Sequence, residues 1–412
     1  MNLRGAAEVV IGRQRAPQHD YGPHMVRYLR AANVKDGTLD LGDVKEMNFS
    51  PTEQQIFALE HGDVLVTEGS GSLSSVGAAA VWRGELSGTV CFQNTLLRLR
   101  PRAGVAGRFL GWWARSAFGN GEFASIASGA NIYHLSADRV RALPISIPPV
   151  DEQRRIADFL DAETTRIDSL RDLNLKARRL LDERESAYLD SRFDELVASS
   201  GITPLRRLVT SMEQGSSPQC ESYPAEVGEW GVLKVSCIRP GRFFPDENKR
   251  LPASEPVDRA LEVREGDLLI TRANTPDLVG STTVVPEIRS RLLLCDKIFR
   301  VKLAESVDPN YIAAVARWSR VRDLCSASSN GASQSMANIR FEEVKNWPIP
   351  RLDVKAQREL VVDVAAIAKQ TDALKEALAR QLALLAERRQ ALITAAVTGQ
   401  IDVTTARGAD LS

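Results

Sequence analysis

The sequence predicts a mixed α/β chain. Two globular α/β modules are joined by two long helices that pair as an antiparallel coiled coil, the whole forming a pseudo-twofold duplication. Three observations predict this. First, Leu143-Pro144-Ile145 with Asp151-Glu152-Gln153-Arg154-Arg155-Ile156 returns as Trp347-Pro348-Ile349 with Gln357-Arg358-Glu359-Leu360, and both Pro144 to Pro348 and Gln153 to Gln357 are 204 residues apart. Second, four further short matches keep the same order at shifts of 202 to 204, including Gly62-Asp63-Val64-Leu65 with Gly266-Asp267-Leu268-Leu269. That period is far too long for a solenoid and indicates a two-domain repeat. Third, each repeat ends in about 45 residues free of Pro and Gly, which at 1.5 Å per residue is a helix of roughly 68 Å.

The elements follow in chain order, with boundaries at 1–147 for module one, 148–199 for helix one, 200–350 for module two, 351–400 for helix two and 401–412 for a tail. In module one, Asp63-Val64-Leu65-Val66 reads as a buried strand entered by Gly-Asp, with the loop Gly69-Ser70-Gly71-Ser72 behind it. Gly107 to Phe118 reads as a short helix. Pro148-Pro149 halts the chain, and Asp151 and Glu152 then suit the positive end of a helix dipole. Module two repeats the pattern with Asp267-Leu268-Leu269-Ile270, the loop Asn274-Thr275-Pro276-Asp277 and a helical patch from Pro309 to Arg322. Apolar residues in the long helices recur in a heptad-like rhythm. In helix one these are Ile156, Leu160, Ile167, Leu170, Ala177, Leu181 and Tyr188. In helix two they are Leu360, Val364, Ile367, Leu374, Leu378, Leu385 and Leu392. Asn174 interrupts the first seam, either as a register-fixing buried amide or as a solvated one. Only six residues link helix one to module two, so antiparallel pairing is expected.

Composition narrows the function classes. The chain has 412 residues, 43% apolar and 26% charged, and no apolar run near the roughly 20 residues a membrane helix needs. Its start, Met-Asn-Leu-Arg-Gly, lacks an apolar signal core, so a cytoplasmic protein is expected. The five cysteines have no zinc or redox spacing and read as reduced, mostly buried thiols. The four histidines form no metal cluster. Net charge is zero, but 151–200 carries 9 basic against 13 acidic residues, leaving the modules slightly basic. Arg98, Arg100, Arg102 and Arg108 cluster, as do Arg239, Arg242, Lys249 and Arg250, and local cations matter more for nucleic acid than total charge.

No catalytic motif is convincing. Asn274-Thr275-Pro276-Asp277 lacks the second Pro and the aromatic of an adenine methyltransferase loop. There is no Walker-type phosphate loop. In Pro245-Asp246-Glu247-Asn248-Lys249 the two carboxylates are adjacent, so on a strand they would face opposite ways and could not share a nuclease metal.

The stretch Pro144 to Ile156, and the ending Arg388-Arg389-Gln390-Ala391-Leu392-Ile393-Thr394-Ala395-Ala396-Val397-Thr398-Gly399-Gln400-Ile401, resemble the conserved regions of the DNA-specificity subunit of type I restriction-modification systems. The resemblance covers nearly the whole chain. Ala356 stands where the first copy has Glu152, and helix one lacks the Val-Thr-Gly ending. The resemblance implies a non-catalytic subunit in which each module is a target recognition domain for one half of a split, asymmetric double-stranded DNA site. It implies helices that set the gap and dock two methyltransferase subunits, and through them the restriction-translocase subunits. It implies no cofactor on this chain, with S-adenosylmethionine, ATP and Mg confined to partners.

Base readout needs amide or cationic side chains on exposed loops. The candidates in module one are Arg30, Lys35, Thr67, Ser70, Ser72, Asn131, Tyr133 and His134. Those in module two are Lys234, Arg239, Thr271, Arg272, Asn274, Ser333, Gln334 and Ser335. Glu68 stands where module two has Arg272, as an asymmetric target would require and as drift would also produce. Coiled-coil and docking candidates are Gln153, Ile156, Leu160, Ile167, Leu170, Leu181 and Tyr188, with Gln357, Leu360, Val364, Leu374, Leu378, Leu385 and Leu392. The competing reading is a coiled-coil scaffold whose modules bind protein.

Overall fold

The computed structural model describes residues 1–327 and 336–403. The chain divides into two compact units, Met1–Asn174 with the stretch from Ala379 onward, and Leu175–Leu378.

In the first unit an antiparallel four-stranded sheet runs in the order Ala7–Ile11, Leu96–Pro101, Val64–Thr67, Ala79–Val81. Val64–Thr67 is buried at every position, as a strand covered on both faces must be. A three-stranded sheet orders Lys45–Asn48, Met25–Leu29 and Val90–Phe92, with the last pair parallel. The helix Gly107–Gly119 contributes Phe109, Leu110, Trp112 and Trp113 to the core. It can start there because Gly107 lies against Gly62: a Cβ on Gly107 would sit 2.4 Å from the Gly62 carbonyl oxygen. Ile156, Ala157 and Leu160 of one long helix and Ile393, Ala396 and Val397 of the other complete this core.

In the second unit the four-stranded sheet orders Val209–Gln214, Ile298–Leu303, Leu268–Thr271 and Thr282–Val284. Its connectivity is the same as in the first unit. A three-stranded sheet of Asn248–Arg250, Gly231–Leu233 and Leu292–Leu293 again has one parallel pair. The predicted single patch from Pro309 to Arg322 is two helices, Pro309–Val315 and Ser319–Ala327. Asp190 of the long helix caps the second by accepting from the Ser319 backbone N–H at 2.9 Å. Leu189, Phe193, Leu360 and Val364 join the core.

The long helices are Val150–Ser200 and Val354–Val397, 51 and 44 residues. Within each unit their segments run in opposite directions. In the first, Asp168 lies 3.7 Å from Arg389 while Leu160 shares a cluster with Val397. In the second, Lys375 pairs with Asp182, and Tyr188 shares a small cavity with Ile367. The seam follows the sequence expectation at most positions and departs from it at two. Leu170 is 38% exposed and Leu374 44%, whereas Ala157, Thr164, Asn174 and Thr371 are buried. Polar residues hold seam positions because a 3.5-residue repeat fixes the facing side chain whatever its chemistry. Asn174 is the buried alternative, donating to the Leu170 carbonyl at 2.8 Å while its Oδ1 has no partner.

No helix among the described residues is long and apolar enough to cross a membrane.

Candidate nucleic-acid interface

Each unit carries a small clasp at the end of its central buried strand. In the first, Thr67 ends the strand and Glu68 follows. The Glu68 N–H donates to Thr95, and its carbonyl accepts from Leu135, both at 2.8 Å. Gly69–Ser70 then pairs with Tyr133–His134. The Ser128 and His134 backbones exchange hydrogen bonds, closing a tip on which Asn131 and Ile132 are exposed. Gly129 is required there, because at φ 130° a Cβ would meet the Ile132 carbonyl at 1.9 Å. In the second unit the Arg272 N–H donates to Lys297, its carbonyl accepts from Ile339, and Ala273–Asn274 pairs with Ala337–Asn338.

The clasps correct part of the candidate set. Thr67 and Thr271 are buried, and their hydroxyls donate to the Ser75 and Leu278 carbonyls at 2.9 and 2.8 Å. They pin the loops from inside and offer nothing to a ligand. Ser70, Tyr133, Arg272 and Asn274 are half-buried, and Ser72, Asn131 and His134 are exposed. Ser72 is held to Ser74 at 2.8 Å. Asn274 Oδ1 accepts from the Thr275 N–H at 2.9 Å, and its Nδ2 is buried without a partner. Ser333, Gln334 and Ser335 lie outside the described residues.

A second pair of features is the two-residue hairpins Val34–Lys35 with Thr38–Leu39 and Ile238–Arg239 with Arg242–Phe243. Gly37 and Gly241 supply the positive φ of their turns, 81° and 71°. Lys35 and Arg239 are exposed, and among the described residues neither has a carboxylate within ion-pair distance. Arg30 and Lys234 are engaged, with Asp43 and Glu247 respectively. Lys234 and Ser236 hold the Glu247 carboxyl below the usual carboxylate range.

The arginine clusters read from sequence as phosphate-facing are mostly structural. Arg98 is buried, donating to the Ile56 and Ala58 carbonyls and to Glu8. Arg300 does the same work in the second unit, on the Ala260 and Glu262 carbonyls and on Glu213 and Asp267. Its guanidinium holds the Glu213 carboxyl below the usual range. Arg100 is bidentate on Asp63, and Arg250 bridges Glu221 and Glu229.

The acidic character of the first long helix has a structural use. Asp158 and Asp161 accept from Arg108, and Asp161 also accepts from the Trp112 indole at 2.9 Å. Glu185 pairs with Arg317. On the second long helix, Arg389 reaches Asp36 and Asp372 pairs with Arg242.

Gln153 and Gln357 are not surface docking groups. Gln153 accepts from the Ala106 N–H and donates to the Gly104 and Pro148 carbonyls; Gln357 accepts from Asp308 N–H and donates to Ser306 and Leu352. Both are buried clamps joining a helix start to its own module. Ile156, Leu160, Ile167, Leu360, Val364 and Leu385 are buried, and Leu181, Tyr188, Leu378 and Leu392 are half-buried. Sequence reasoning passed over Glu68 as a partner of His134 and Arg115 as a partner of Asp36. Only the fold brings those pairs together.

Among the described residues no group of His, Cys, Asp and Glu could hold a metal ion. What the fold offers is rigid, backbone-fastened loops with amide, imidazole and guanidinium side chains, which is the equipment of a reader of nucleic acid.

Residues 26–177 match the profile of the type I restriction modification DNA specificity domain. It is 31% identical over 173 residues to the type I restriction enzyme EcoEI specificity subunit of Escherichia coli, a match spanning 42% of this chain and 29% of that relative. It is 24% identical to the EcoKI specificity subunit of Escherichia coli strain K12 over 90% of this chain and 82% of that one. The fold aligns at a TM-score of 0.71 and 18% identity, over 97% of both chains, with one solved in work on assembly and conformational transition of the type I R-M system. The chain therefore carries a type I restriction modification DNA specificity domain over residues 26–177, and it is similar to specificity subunits over most of its length.

Proposed function

We propose that this chain is the DNA-recognition subunit of a type I restriction-modification complex in which each α/β module reads one half of a bipartite, asymmetric site. The observation that carries the reading is the repeated clasp. The same backbone fastening in each unit presents different side chains at matching places, Glu68 and His134 in one, Arg272 and Asn338 in the other. A scaffold binding two like proteins has no need of that difference. Two readers joined by stiff helices suit half-sites set about a helical turn, or a multiple, apart on B-DNA.

The helices fix the spacer and dock two methyltransferase subunits, and through them the restriction-translocase subunits. S-adenosylmethionine, ATP and Mg belong to those partners. Methylome sequencing of cells with and without this chain, in a strain expressing the methyltransferase, tests the reading. Loss of one bipartite adenine mark is expected. An unchanged methylome would reject it.

A further inference from the structure

We infer that His134 is a specificity-determining residue of module one, presenting Nε2 as a hydrogen-bond acceptor to the exocyclic amino group of an adenine or cytosine in the major groove. The inference deepens the proposed DNA reading and rests on it. His134 Nδ1 lies 3.2 and 3.3 Å from the two Glu68 carboxylate oxygens. A carboxylate only accepts, so Nδ1 carries the proton, and in the neutral ring Nε2 is left with its lone pair. The two side chains differ in exposure as such roles require: Glu68 is 13% exposed and His134 53%.

Neither residue is free to drift. Glu68 is fastened by backbone bonds on both sides, His134 pairs with Gly69 in the clasp, and the ring lies 3.4 Å from where a Gly69 Cβ would be. This is a half-buried carboxylate orienting an outward imidazole, the arrangement that fixes tautomers at metal sites, here with no metal-holding group beside it among the described residues. In the major groove an acceptor distinguishes adenine N6 or cytosine N4, both amino donors, from thymine O4 and guanine O6, both acceptors. Glu68 is then a positioning residue.

The test uses the full chain assembled with its methyltransferase subunits, reading the methylated motif of the wild type and of two variants. His134→Ala is expected to lose discrimination at one position of the module-one half-site, by about tenfold. Glu68→Gln, nearly isosteric, can donate as well as accept, so it frees the tautomer. It is expected to admit a carbonyl-bearing base at that same position. The module-two half must stay strict in both variants, which also reports a folded chain.

Oligonucleotides identify the base. Purine in place of adenine, or 2-pyrimidinone in place of cytosine, is expected to weaken wild-type binding about tenfold and leave His134→Ala binding unchanged. Motifs as strict as the wild type in both variants would overturn the role of His134 while leaving the DNA reading intact. A wild-type complex that marks no motif would sink both.

Discussion

Gln153 illustrates how much one buried amide can hold. Its single acceptor and two donors meet the Ala106 N–H and the Gly104 and Pro148 carbonyls, and the side chain itself is fully buried. Gln153→Leu keeps the volume and orphans all three. It is expected to cost roughly 3 kcal/mol, read as a lower denaturant midpoint. Gln153→Glu should be no rescue, since it sets an oxygen against two carbonyl oxygens. Gln357→Leu should cost about as much in the second unit. The thiols give a pH-dependent prediction at the same scale. Burial pushes the Cys91 thiol up to about 12, against an ordinary value near 9. Its contribution to stability is therefore complete below pH 9. It is lost as pH rises from 9 toward 12, because the unfolded chain releases the proton first. Denaturant midpoints from pH 8 to 10.5 should fall less steeply for Cys91→Ala than for the wild type, and equal slopes would refute this.

At the scale of elements, the long helices were the most legible part of the sequence. Absence of Pro and Gly, a charged first turn and a heptad rhythm are all local signals, and the observed helices match them closely. The seam was legible except at two positions. Leu170 and Leu374 are apolar and correctly spaced, yet they lean outward, because knob positions follow the supercoil and not hydrophobicity alone. Nor could the sequence say which arginines turn inward. Arg98 and Arg300 sit on strands between carbonyls delivered from forty residues away, and such tertiary pairing leaves no local trace. The seam gives its own test. Asn174 is 7% exposed with an unpartnered Oδ1, so Asn174→Leu is expected to raise stability by about 1 kcal/mol. If Asn174 also fixes helix register, the more stable variant should show broader target selectivity in methylation assays. A variant less stable than wild type would mean that the amide is satisfied.

For the molecule as a whole, the repeat was visible in the sequence because a shift near 204 survives in glycines, strand-entry Asp residues and the Pro-Ile motif, all of which serve backbone geometry. On the proposed reading, the residues that set each half's selectivity are harder to see, since they are places where the two copies differ. That division yields a prediction. On the proposed reading the asymmetry of the target comes only from differences between the two modules. A chain carrying module two at both places, residues 200–350 replacing 1–147, would then have two identical readers, which the antiparallel pairing expected from the sequence would set facing opposite ways. Such a pair reads an inverted repeat. Methylome sequencing of cells expressing that chain with the methyltransferase subunits should show the module-two half-site twice, on opposite strands, and the module-one half-site nowhere. A direct repeat would mean that the readers face the same way along the duplex. It would overturn the antiparallel arrangement while leaving sequence recognition by the modules in place.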